Sequence, residues 1–143
     1  MFHLGGNCIF LPKEEIGIGT REDTSDIAQV LSKYVHGIVY RTFSHQVLEK
    51  MANNASIPVI NGLSDLEHPC QALSDILTVF EKKGKFKGIK IAYIGDGNNV
   101  AHSLALAAIL VGMDFIIANP PEYGMNTEIV KKVQKLSRES GGN

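Results

Sequence analysis

The sequence predicts an α/β protein: parallel sheets with helices on both faces, forming parts of two doubly wound domains. Two observations carry that prediction. Short β-prone apolar runs alternate with helical stretches whose apolar residues recur at i, i+3 and i+4. A charged, glycine-stopped segment, Glu81-Lys82-Lys83-Gly84-Lys85, interrupts the alternation, which then starts again. The expected division is therefore residues 1–84 and residues 85–143.

Taken in order, Asn7-Cys8-Ile9-Phe10-Leu11 is an apolar run closed by Pro12 and reads as a strand. Pro12 to Glu22 is polar, holds Gly17 and Gly19, and reads as an irregular loop. Asp23 or Thr24 can cap a helix, with Asp26 favoured near its positive end. Ile27, Val30, Leu31, Tyr34 and Val35 would form that helix's apolar face, with Gly37 ending it. Gly37 to Arg41 is the next strand, and Ser44 caps a helix carrying Val47, Leu48, Met51 and Ala52. Pro58 to Asn61 is a strand, Gly62 to Pro69 a polar loop. A helix then places Leu73, Ile76, Leu77 and Phe80 on one face. Beyond the charged break come a strand at Ile89 to Ile94, an alanine-rich helix at Asn98 to Val111, a strand at Phe115 to Ala118 and an amphipathic helix at Asn126 to Arg138. Tyr34 and Met51 are expected in the core.

Composition narrows the function classes. Of 143 residues, 44% are hydrophobic and 20% charged, the balance of a globular domain. A formal net charge of -1 supplies no basic stripe, so nucleic acid is not an expected partner. No apolar run reaches the roughly 20 residues of a membrane helix, and the start lacks a signal-peptide pattern. The histidines show no HxH or HExxH spacing and there is no CxxC, so no metal is expected. Cys8 and Cys70 read as reduced thiols of a cytoplasm-like compartment, with Cys70 serving only to pack because no base is spaced to activate it. The chain starts directly before a strand-like run and stops at Ser140-Gly141-Gly142-Asn143, which reads as an internal fragment of a longer protein.

In parallel α/β sheets ligands bind at the carboxyl ends of the strands. Arg41 follows one strand directly, where its forked donors suit a phosphate or carboxylate, or simply pair with a surface acid. His68-Pro69-Cys70-Gln71 lies between a strand and a helix. Pro69 suits the first helical turn and keeps His68 extended. An imidazole there either caps the helix or, beside the free amides of the helix start, polarises a ligand carbonyl. Gly95-Asp96-Gly97-Asn98-Asn99-Val100 invites comparison with the dinucleotide fingerprint, but Val100 replaces its third glycine and Asn119 stands where an acid is needed. Two asparagines instead offer neutral donors and acceptors for an amino acid's zwitterionic end, or serve only the turn.

Together these segments resemble the aspartate and ornithine carbamoyltransferase family. The resemblance rests on Glu22 with Asp23-Thr24 opening a helix, on Arg41 ending a strand, and above all on His68-Pro69-Cys70-Gln71-Ala72-Leu73-Ser74-Asp75, which is similar to the family's H-P-x-Q-A-L-x-D motif. Gly95 to Ser103, with its asparagine pair, resembles the ornithine branch rather than the basic version of the aspartate branch. The resemblance implies that Arg41, His68 and Gln71 hold carbamoyl phosphate, with Arg41 and His68 catalytic, and that Asn99 holds the backbone end of L-ornithine. It implies transfer to the ornithine δ-amine, no cofactor, and a homotrimer for the full-length protein. The family's S-T-R-T-R, D-x-x-x-S-M and H-C-L-P motifs do not occur in these 143 residues, and Gly17 stands where many relatives reach a neighbouring subunit's ligand. The expectation is thus a chain that is inactive alone. Carbamoyl transfer to putrescine or aspartate, a nucleotide-cofactor module and a non-catalytic anion-binding remnant remain as alternatives.

Overall fold

Side-chain caps at Asp23, Asn98 and Asn126 and left-handed glycines at Gly84 and Gly141 fix several of the helix ends. The computed structural model describes residues 1–19 and 21–143, with Lys13 described by its backbone alone. Among the described residues two single 3-10 turns, Phe2–Leu4 and Pro121–Tyr123, accompany six helices and four strands. They are α1 (Lys13–Ile16), α2 (Thr24–Leu31), β1 (Ile38–Arg41), α3 (His45–Asn54), β2 (Val59–Leu63), α4 (Pro69–Lys83), β3 (Lys90–Ile94), α5 (Asn99–Leu110), β4 (Asp114–Ala118) and α6 (Thr127–Ser140). The strands form two pairs, β1 with β2 and β3 with β4. Ile38 N–H donates to the Pro58 carbonyl and Thr42 N–H to the Leu63 carbonyl, so β1 and β2 run in the same direction. The β3–β4 pair is parallel, in register from Lys90 opposite Asp114 to Ile94 opposite Ala118. Parallel strands joined by helices are the α/β architecture expected from the alternating pattern.

The chain divides into two compact units, Met1–Ile38 with Glu49–Val59, and Val39–Leu48 with Ile60–Asn143. In the first, Asp23 is the N-cap of α2: its carboxylate accepts from Ser25 N–H at 2.8 Å and from the Ser25 hydroxyl. Lys50 Nζ lies 2.7 Å from the other carboxylate oxygen. Ile27, Ala28 and Met51 are buried. In the second unit α5 is the centre, with Ala101, Ala105, Ala108 and Ile109 shut off from solvent. Small side chains let α5 pack closely against α4, α6 and β4. Ile76, Leu104, Ala108 and Met113 form its apolar core, flanked by Phe86, Ile89, Ile91 and Phe115.

Four expectations are corrected. Asn7 to Leu11 forms no strand, because no described segment lies alongside to complete a ladder, and Ile9 and Phe10 stay exposed. The expected loop after it contains α1 and an isolated bridge between Ile18 and Glu22; Thr20 lies outside the described residues. Helix α2 stops at Leu31, capped by Ser32 whose hydroxyl bonds back to the Ala28 carbonyl, so Val30 and Tyr34 are exposed and Tyr34 is not core. Helix α4 buries Ala72 and Ile76, while Leu73, Leu77 and Phe80 face outward. The apolar stripe was real, but its covered edge is one residue over.

Candidate functional site

The second unit brings the polar loop after β2 onto the first turn of α5. Ser64, fully buried, is the hub of that loop. Its N–H donates to the Glu67 carbonyl at 2.9 Å, and its hydroxyl lies 2.8 Å from His45 Nδ1 and accepts from Glu67 N–H at 3.1 Å. Asp65 receives the His45 N–H at the start of α3. From α5, Asn99 Nδ2 donates to the Ser64 carbonyl at 2.7 Å, His102 Nδ1 meets the Leu66 carbonyl at 2.8 Å, and the Ser103 hydroxyl accepts His68 N–H at 2.8 Å. The loop is therefore pinned at Ser64, Leu66 and His68 in succession.

His68 occupies the N-cap position of α4, with φ -132° and Pro69 immediately inside the helix, yet its side chain makes no capping bond. Neither ring nitrogen bonds to a described residue, and Nδ1 is buried without a partner. Leaving a buried polar atom unpaired costs about 1–3 kcal/mol, so such an atom calls for a reason, and an unfilled ligand contact is one. The helix start adds backbone amides that no carbonyl within α4 can satisfy. Asn61, in the middle of β2, likewise has a buried, unpartnered Oδ1.

Arg41 is the last residue of β1 and is exposed, its guanidinium making no hydrogen bond or ion pair among the described residues. The Thr42–Leu63 hydrogen bond sets the end of β1 level with the end of β2, so Arg41 and the His68 loop leave the same sheet edge. Gln71, one turn into α4, is exposed, and its amide donates to Asp75 at 2.9 Å. Asn99 spends one N–H on Ser64 and keeps its second N–H and its carbonyl oxygen free of described partners. Asn98 is spent on structure: its Oδ1 caps α5 by accepting from Val100 and Ala101 N–H groups. Cys8 and Cys70 are both free and exposed, and Cys70, expected only to pack, meets the Asn61 carbonyl at 3.4 Å. Among the described residues no three His, Cys, Asp or Glu side chains gather as metal ligands, and no helix is long and apolar enough to cross a membrane.

Comparison with known proteins places this arrangement. The carbamoyl-phosphate-binding domain of the aspartate/ornithine carbamoyltransferases matches residues 1–81, and their Asp/Orn-binding domain matches residues 87–143. The chain belongs to the aspartate/ornithine carbamoyltransferase family. It is 53% identical to an ornithine carbamoyltransferase of Bacillus thuringiensis subsp. konkukian over 99% of its own length and 45% of that protein's. The structure of ornithine carbamoyltransferase from Pyrococcus furiosus superposes with a TM-score of 0.97 at 45% identity, covering the whole of this chain and 46% of that one. Aspartate transcarbamoylase from Trypanosoma cruzi, in complex with carbamoyl phosphate, superposes with a TM-score of 0.85 at 27% identity, covering 99% of this chain and 46% of that one. The chain thus spans about half the length of the relatives it matches.

Within this chain the glycines of Gly95 to Gly97 have a structural use. A Cβ on Gly97 would sit 2.3 Å from Met125 N and 2.5 Å from the Gly124 carbonyl carbon, and Gly97 N–H donates to the Tyr123 carbonyl at 2.8 Å. The close approach of the Gly124–Met125 backbone is what requires a glycine at position 97. Sequence reasoning passed over Ser64 and His102. A buried serine in Asn-Gly-Leu-Ser-Asp reads as turn chemistry, and only its partners reveal it as a hub. His102 carried a weak signal, a histidine on the apolar alanine-rich stretch of α5.

Proposed function

We propose that this chain supplies part of an ornithine carbamoyltransferase. Residues 1–84 would contribute to the carbamoyl-phosphate-binding domain and residues 85–143 the first half of the ornithine-binding domain. In the reaction the neutral δ-amine of L-ornithine attacks the carbonyl carbon of carbamoyl phosphate. A C–N bond forms, the C–O bond to phosphate breaks, inorganic phosphate leaves, and the nitrogen loses a proton to give L-citrulline. Such a step needs positioning and fixed donors rather than a covalent enzyme intermediate. In this reading His68 donates to the carbamoyl oxygen, Arg41 neutralises the phosphate, Gln71 orients the carbamoyl amide, and Asn99 meets the backbone end of ornithine. The full-length protein would act in arginine metabolism as a cytoplasmic homotrimer without a cofactor, and the 143-residue chain alone would be inactive.

The observation that carries the reading is the buried, unpartnered Nδ1 of His68 at the start of α4. The free guanidinium of Arg41 at the same sheet edge and the uncommitted half of the Asn99 amide support it. The test is a chimera in which this chain replaces its counterpart in the Pyrococcus furiosus protein. Citrulline should form from carbamoyl phosphate and ornithine, and none from the isolated chain. Carbamoylation of putrescine or aspartate in preference to ornithine would move the assignment to another member of the class.

A further inference from the structure

We propose that His102 is the positioning residue for His68, working as the neutral Nδ1–H tautomer and tying the His68 loop to the start of α6. The proposal rests on the reading of His68 as a ligand group, but its physical content can be tested without any ligand. His102 is 5% exposed, and both ring nitrogens are engaged. Nε2 lies 3.0 Å from the backbone nitrogen of Asn126. A backbone N–H can only donate, so Nε2 accepts and carries no proton. The ring proton therefore sits on Nδ1, 2.8 Å from the Leu66 carbonyl, which can only accept. The two partners select one tautomer, and a charged ring would set an N–H against an N–H.

The two ends of this strut matter. Leu66 is two residues before His68, in a loop otherwise held on α5 by Asn99 and Ser103. Asn126 is the N-cap of α6, its side chain accepting from Glu128 N–H at 2.9 Å and Ile129 N–H at 3.4 Å. A rigid neutral ring that donates at one edge and accepts at the other can register both at once. A displacement of α6's first turn would reach the His68 loop through a single buried side chain.

Two near-isosteric variants separate the two ends. His102→Asn keeps a donor where Nδ1 stood and removes the acceptor for Asn126. His102→Gln keeps an acceptor where Nε2 stood and removes the donor to Leu66. In the unliganded wild-type chain, nitrogen-detected NMR should report a protonated Nδ1 and a bare Nε2 for His102. In His102→Gln the His68 amide should exchange with solvent roughly tenfold faster, with Asn126 little changed, and His102→Asn should show the reverse. A protonated Nε2 in the wild type, or equal acceleration at both amides in both variants, would overturn the proposal. The tautomer is read on the wild type, so a variant that fails to fold leaves the question decidable. Carbamoyl phosphate takes no part, so failure here is distinct from failure of the proposed reaction.

Discussion

Residues 1–35 and residues 86–143 are written in the same alphabet of apolar runs and amphipathic stretches, yet they end in different states. In the later region β3 and β4 pair in register, α5 is covered by its neighbours, and even the final residues are bound: Phe115 N–H donates to the Asn143 carbonyl and Ser137 to the Gly142 carbonyl. In the earlier region Phe2, Leu4, Ile9 and Phe10 are exposed, and Tyr34 is 79% exposed. Periodicity tells which side of an element needs covering. Whether it is covered depends on residues far away in the chain, and this is a property of contacts rather than of local pattern.

That contrast can be broken most sharply by truncation. Met113→Ala, at a side chain wholly removed from solvent, should lower stability by about 2–5 kcal/mol. Phe10→Ala, at a side chain 84% exposed, should change it by less than about 0.5 kcal/mol. Comparable shifts in thermal midpoint for the two variants would erase the distinction. Next in size is Gly97→Ala, whose methyl would meet the backbone of Gly124 and Met125; a loss of about 1–3 kcal/mol is expected in chemical denaturation.

Two N-cap positions sharpen the comparison further. Asn98 caps α5 with two hydrogen bonds, so Asn98→Ala should cost about 1 kcal/mol. His68 stands at the N-cap of α4 with no such bond, so His68→Ala should leave stability unchanged or slightly raised, since it removes an unpaired buried nitrogen. Equal losses at both sites would return His68 to the role of a plain helix cap. The smallest effect concerns the first unit. The Lys50 ammonium, with the Ser25 hydroxyl and amide, holds the Asp23 carboxyl well below the usual carboxylate range. A carboxyl depressed in the folded state contributes stability above its unfolded value of about 3.9, and loses it as pH falls from there through the folded value. Acid titration of the α2 amides should show that loss, and Asp23→Asn should flatten it.

Much of the molecule was legible in advance because its signals are local. Asp23, Ser44, Pro69 and Asn98 mark helix starts through their own side-chain or ring chemistry. What stayed hidden is long-range. No pattern shows that Asn7 to Leu11 lacks a partner strand, or that α4 buries Ala72 rather than Leu73. At the site, Arg41, His68, Gln71 and Asn99 were named from motif and position. The hub at Ser64 and the strut at His102 were not, because their meaning lies in partners up to 36 residues away.

The central claim is that His68 is reserved for a ligand, and the most direct measurement is steady-state kinetics of the chimera carrying His68→Ala. In that chimera kcat for citrulline formation should fall roughly 10²–10³-fold with an unchanged melting temperature, as for loss of a donor to a developing oxyanion. A folded chimera that turns over ornithine at the unsubstituted rate would contradict it.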